Sequence, residues 1–199
     1  MKRCFLVMTL IVSCAYAQTG KISSRFYFPG LIGTDFQSNR ASATYKKGLL
    51  LNTAAEYRPD DTLAFFYRFN FDGITNKYNT NAVDLPTNVK GGSQHHTYLL
   101  IGPGYRKKYG NISWYAAFQP GVSIRNYDEV VRDGSSYMVS SFNKNNLSVK
   151  ITGGFEYYLA PHFALIMEAA RYQNSFPNHP VSFNNSEMAV SFGFTTTLF

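Results

Sequence analysis

Cysteine is almost missing from this chain, and its two copies, Cys4 and Cys14, both fall within the first seventeen residues. Those residues read as a processing signal. Lys2 and Arg3 form a basic start, Phe5 to Val12 a short apolar run, and Ala15, Tyr16, Ala17 a small-residue cleavage site before Gln18. Cleavage there leaves residues 18–199 as one exported domain without cysteine, which excludes disulfides and thiolate-bound metals. A second processing is open, because Ile11, Val12, Ser13 and Cys14 also match the lipoprotein box in which the cysteine becomes the lipidated first residue.

Other absences narrow the function classes. No apolar run reaches the roughly 18 residues of a spanning helix. The formal charge of +7 falls to +5 when Lys2 and Arg3 leave with the signal, and no basic stripe gathers what remains, which excludes a nucleic-acid partner. His162 and His179 are isolated in a turn and a loop, so no metal site is expected, and nothing implies a cofactor.

What the chain does have is alternation. In Leu147 to Leu159, LSVKITGGFEYYL, the odd positions Leu147, Val149, Ile151, Gly153, Phe155, Tyr157 and Leu159 are mostly apolar, while Ser148, Lys150, Thr152, Gly154, Glu156 and Tyr158 are polar, charged or small. A period of two over that length is an extended strand with one face in an apolar medium. The same pattern sets Leu63, Phe65, Tyr67, Phe69 and Phe71 against Arg68, Asn70 and Asp72, and Ile112 to Ile124 against Ser113 to Arg125. Further strands are expected at 21–35, 49–57, 97–106, 163–172 and the C-terminus, where Phe199 ends the chain. Arg58 to Thr62, Lys107 to Asn111 and Ala160 to His162 read as tight turns. Polar stretches at 37–47, 75–94, 127–146 and 173–186 read as long loops. Pro29 marks a bulge or an unpaired donor position in the first strand.

Eight strands with alternating long and short connections fit a closed antiparallel up-and-down transmembrane β-barrel, with both termini on the periplasmic side. A lysine such as Lys150 on a lipid face is costly, so the charged faces are assigned to the lumen and the aromatic rows to lipid, with Tyr57, Tyr105 and Tyr157 as a girdle near the short turns. The opposite polarity, a soluble lipocalin-like carrier with its apolar face around a ligand, has the same alternation.

The layout, together with the strand-final aromatic Phe199, resembles the OmpA/OmpX-type eight-stranded outer-membrane barrels over essentially the whole chain after the signal. The resemblance implies a Gram-negative outer-membrane location and contact with outer-membrane lipid and lipopolysaccharide. It also implies a monomer, and Phe199 as the signal read by the barrel-assembly machinery. One departure stands out: Thr197, Thr195 and Gly193 occupy the parity in which family members carry apolar residues, whereas Met188, Val190, Phe192 and Phe194 hold the other. A bulge near Thr195 to Thr197 would restore the phase.

The lumen faces carry Arg68, Arg106, Arg125 and Lys150 against Glu56, Asp72, Glu156 and Glu168. Charges in a narrow interior must be paired, so this balance reads as an internal network that closes the lumen; a polar pathway gated by switching ion pairs, as in a narrow porin, is the sharper alternative. Glu156 and Glu168 are expected as near-diagonal neighbours with Lys150 or Arg125 between them. Catalysis is not expected. Ser93, His95 and Thr97 share a face where the fourth strand begins, with His96 on the other. The His-x-Ser pair of lipid A deacylases is missing, and no acidic partner can be placed. The reading is a structural or surface-interaction protein. A lipid A-modifying enzyme is the alternative from another class, and the loops are where contacts would lie. Arg40, Lys46 and Lys47 in the first loop could meet lipopolysaccharide phosphates.

Overall fold

The computed structural model describes residues 25–37, 45–59, 64–78, 91–133, 136–175 and 185–197. The signal at 1–17, Arg40, His179 and Phe199 lie outside the described residues. Eight strands follow in order: β1 (Phe26–Gln37), β2 (Leu49–Tyr57), β3 (Phe65–Lys77), β4 (Ser93–Tyr109), β5 (Ile112–Asp133), β6 (Ser136–Ala160), β7 (Phe163–Asn174) and β8 (Asn185–Thr197). Each pairs antiparallel with the next and β8 closes on β1, so the sheet has no open edge along its wall. A row of hydrogen-bonded partners that leaves β3 at Thr75 runs through Leu49, Thr34, Val190, Ala169, Gly153, Ala116 and Tyr105, and returns to β3 at Phe65. That offset along one strand is the stagger by which tilted strands close a barrel.

Alternation sorts the side chains cleanly. Phe65, Tyr67, Phe69 and Phe71 are each 46–62% exposed, while their neighbours Phe66, Arg68, Asn70 and Asp72 are buried. The apolar rows therefore face outward and the charges inward, which overturns the lipocalin polarity. An outer wall this apolar needs a lipid environment. The expected girdle is present and larger than Tyr57, Tyr105 and Tyr157 alone. Near the short turns every strand presents an aromatic residue outward: Phe26, Tyr57, Phe65, Tyr105, Trp114, Tyr157, Phe163 and Phe194. Several touch, as Phe26 with Tyr57 at 5.0 Å and Tyr105 with Trp114 at 5.6 Å between ring centroids.

Four details differ from the expectations. The polar stretch 127–146 is not a loop: β5 and β6 stay paired from Ile112↔Tyr157 to Asp133↔Ser136, so a two-stranded ribbon continues past the barrel. Its faces carry no alternation because neither is buried against a core. β3 and β4 likewise extend to Lys77 and back to Ser93, into the stretch read as the second long loop. β8 keeps one register with β1 through Thr197 and with β7 through Thr196, so no bulge restores the C-terminal phase among the described residues; Thr195 and Thr197 are buried inside the barrel. Arg58, read as a turn residue, keeps the inward parity of Glu56 and is buried. At Phe28 and Pro29 the ladder to β2 skips two pairs without changing register, consistent with the missing N–H of proline.

Candidate functional site

The lumen is filled in layers. Phe66 and Tyr115 meet edge-on at 6.2 Å and pack with Leu31, Ala117 and Ile166. Tyr98 and Tyr172, 4.6 Å apart, pack with Leu50, Ile74 and Leu100 nearer the end that carries the long connections. Small residues opposite make room for the rings: a Cβ on Gly104 would lie 2.1 Å from the Phe66 ring, and one on Gly154 2.4 Å from the Tyr115 ring.

Between these layers runs a chain of alternating charges. At the short-turn end, Arg106 Nη1 is 3.4 Å and Arg58 Nη2 2.8 Å from the Glu156 carboxylate. Arg58 Nε donates to Glu56, and Arg68 Nη2 lies 2.8 Å from the other Glu56 oxygen. Arg68 Nη1 reaches Glu168 at 2.7 Å; Lys150 Nζ bridges Glu168 at 3.1 Å and Asp72 at 2.9 Å. Tyrosine hydroxyls supply further donors: Tyr158 to Glu156, Tyr115 to Glu168 and Tyr172 to Asp72, at 2.7–2.8 Å. The Arg58 guanidinium also lies over the Tyr27 ring at 3.5 Å. Every member except Arg106 is at most 2% exposed. Buried charges survive only when paired, and every charge of this chain has an opposite charge within 3.4 Å, although Arg68 Nη2 faces Glu56 without a well-aligned hydrogen bond.

Of the expected network, Glu56, Arg68, Asp72, Arg106, Lys150, Glu156 and Glu168 come together. Arg125 does not. It sits near the other end of the lumen, donating to Gln94 at 2.5 Å and lying over Tyr127 at 4.7 Å. Arg58 takes its place, keeping four cations against four carboxylates. Glu156 faces Ile166 and Glu168 faces Gly154, so the two carboxylates are diagonal neighbours as expected. Lys150 holds Glu168, as one of the two expected cations. Arg58, Glu56 and Arg68 make the link back to Glu156, where Arg125 had been the alternative. The signal that could have found Arg58 was parity, carried one position past the end of the second strand.

At the long-connection end His96 Nδ1 is 2.9 Å from both Glu187 and the Tyr98 hydroxyl, and Asn174 donates to Tyr98 at 3.1 Å. An acidic partner for a histidine therefore exists, contrary to the sequence reading, and closure of the ring brings it in from β8. Ser93 and His95 do not assemble into a nucleophile and base: the Ser93 hydroxyl donates to Asp128 at 3.2 Å and His95 contacts Thr75 at 3.0 Å. Asp128 also accepts from the Ser93 backbone N–H at 2.8 Å and the Ser141 hydroxyl at 2.7 Å, and these bonds hold its carboxyl below the ordinary value of 3.8. Among the described residues no cluster of His, Cys, Asp and Glu could hold a metal ion.

No protein-family model and no curated protein matches the sequence. Solved structures do match in fold. Neisserial surface protein A is 16% identical over 87% of this chain and 97% of its own, with a TM-score of 0.57. Ail, the attachment invasion locus protein of Yersinia pestis, solved with the heparin analogue sucrose octasulfate, is 11% identical over 87% of this chain and 96% of its own, at 0.50. OprG of Pseudomonas aeruginosa is 14% identical over 87% and 95%, also at 0.50. The chain has the fold of the eight-stranded outer-membrane β-barrels of the OmpA/OmpX type.

Proposed function

We propose that this protein is a non-enzymatic outer-membrane barrel with a structural or surface-interaction role, its lumen closed to solutes. The observation that carries the closed lumen is the buried chain from Glu156 through Arg58, Glu56, Arg68, Glu168 and Lys150 to Asp72. A water-filled channel would leave these groups solvated, and instead they solvate one another. The ribbon of β5 and β6 beyond the barrel favours the surface role, since it exposes Tyr137, Met138, Val139 and Phe142 where no core receives them.

In this reading the short turns and both termini face the periplasm, residues 1–17 are removed, and the barrel is a monomer delivered by the assembly machinery through its C-terminal strand. The aromatic girdle at the short turns supports the orientation. Catalytic residues, metals and cofactors have no part in it.

Liposomes carrying the refolded protein test the closed lumen. Placed in isotonic solutions of small sugars, they should keep their volume as protein-free vesicles do. Swelling that grows with protein content would instead make the chain a narrow porin.

A further inference from the structure

Beyond the barrel, β6 keeps β5 on one side and presents an open edge on the other. β7 follows β6 only as far as Ser148↔Asn174, and the Leu147 carbonyl accepts the Ser175 N–H just beyond that pair. From 138 to 146 no strand among the described residues pairs with that side of β6. Backbone groups of a strand point alternately to its two sides. Leu147 bonds towards β7, so Val139, Ser141 and Asn143 turn their N–H and C=O groups to the open edge, while the residues between them bond to β5.

The two edges of the ribbon are guarded differently. Past its last pair with β4, at Gln94↔Tyr127, β5 carries Asp128, Glu129, Arg132 and Asp133, and charges along an edge discourage an added strand. β6 reads SYMVSSFN from Ser136 to Asn143, without a charge, a proline or a glycine. Such a segment is a template for a further strand.

The strand that fits it is a second copy of itself. A two-fold-related copy meeting through the same edge pairs antiparallel. Centred on Ser140, the register makes Val139 of one copy and Ser141 of the other a hydrogen-bonded pair, as their edge-facing backbone groups require. It sets Met138 against Phe142, which are 49% and 39% exposed, in the close non-hydrogen-bonded position where side chains touch. Lys144 falls opposite Ser136, so no like charges meet. Antiparallel strands lead back to barrels at opposite ends. Copies in one membrane point β6 the same way, so this pair forms between apposed membranes. Ser140 stands eight positions past Ser148, about 27 Å at the rise of a strand, which places the two barrel rims about 55 Å apart.

We propose that the open edge of β6 is a self-recognition site that joins two copies of this protein across apposed outer membranes, through antiparallel pairing of Met138 to Phe142. The proposal rests on the surface role and the outward orientation given above and names the partner. Each joint is short, and its strength comes from many barrels engaging at once.

Vesicles carrying the refolded protein with the ribbon outward, dyed in two colours, test the pairing by two-colour coincidence. The two populations should cluster, and protein-free vesicles should stay single. Ser141→Pro removes an edge N–H that β5 does not use and fills the edge with its ring. Clustering should fall about tenfold, the scale of two hydrogen bonds lost per joint. Charge exchange separates the joint from a folding defect. Vesicles bearing Val139→Lys with Ser141→Lys should not cluster among themselves, nor should those bearing Val139→Glu with Ser141→Glu, whereas a mixture of the two should cluster. No clustering of the intact protein, clustering unchanged by Ser141→Pro, or no recovery in the mixture would each overturn the proposal. Equal capture of protein-free vesicles would do so too, since the partner would then be the lipid surface. The orientation has its own readout. The chain has no cysteine after Cys14, so Glu129→Cys on the other strand of the ribbon can be probed on intact cells with an impermeant maleimide. Labelling without clustering defeats the self-pairing alone, whereas failure to label defeats the orientation and the joint between cells with it.

Discussion

Arg68 of β3 and Glu168 of β7 meet at 2.7 Å across the lumen, one hundred positions apart in the chain. Neither has water to fall back on, and Arg68 also holds Glu56 at 2.8 Å. Replacing Arg68 with Met leaves two buried carboxylates short of a cation, which costs about 3–5 kcal/mol for one broken buried pair. Urea unfolding of the barrel refolded into vesicles should show the midpoint falling accordingly. Replacing Arg68, Glu56 and Glu168 together with apolar residues should recover much of the loss, since the penalty lies in the orphaned charge. Loss in the single variant no larger than for an exposed pair, about 0–1 kcal/mol, would show the charges to be solvated after all.

Gly104 and Phe66 provide a packing test free of charge. A Cβ on Gly104 would fall 2.1 Å from the Phe66 ring, so Gly104→Ala should destabilise by about 1–3 kcal/mol through overpacking. Phe66 makes no hydrogen bond through its side chain, and Phe66→Leu should relieve the clash. A double-mutant cycle measured by denaturant midpoint should therefore give a favourable coupling energy. Strict additivity would mean that the ring does not occupy the space above Gly104.

Asp128 ties the root of the ribbon to β4. Its carboxyl is held below its ordinary value by the Ser141 hydroxyl and by the backbone N–H and hydroxyl of Ser93. A depressed folded value means that this stabilisation is present above the unfolded value of about 3.9 and is lost as pH falls through the folded value. Amide exchange at Ser93 should therefore accelerate below about pH 4. In Asp128→Asn, which keeps an acceptor but cannot titrate, that acceleration should vanish. The same acid dependence in both proteins would assign the effect elsewhere.

Much of the barrel could be read from the sequence because burial writes itself into the period of the strand. Phe65 to Phe71 and Leu147 to Leu159 have one apolar and one polar face, so their direction and their sorting of charge follow without a structure. The ribbon beyond Tyr127 was illegible for the converse reason. Val130, Val131, Met138 and Val139 sit in paired strands with no core on either side, so no alternation separates strand from loop. The charge network was legible in membership more than in wiring. Parity places Glu56, Arg68, Lys150 and Glu168 inside, but which cation meets which carboxylate depends on register and on contacts across the lumen. Hence the sequence groups Arg125 with charges it does not meet in the barrel, and Arg58 reads as a turn residue although it keeps the inward parity of the strand before it. Glu187 came to His96 only because β8 closes on β1 and carries its inward face around the ring.

The central claim is that the charge chain closes the lumen, and planar-bilayer recording of the refolded protein tests it most directly. The intact protein should insert without unitary conductance across the range of applied voltage. Arg58→Ala combined with Arg68→Ala removes two guanidinium links of the chain and should give small, discrete, cation-favouring steps past Glu56, left without a cation, and the under-compensated Glu156 and Glu168. Steady unitary conductance from the intact barrel, unchanged by those substitutions, would contradict the account.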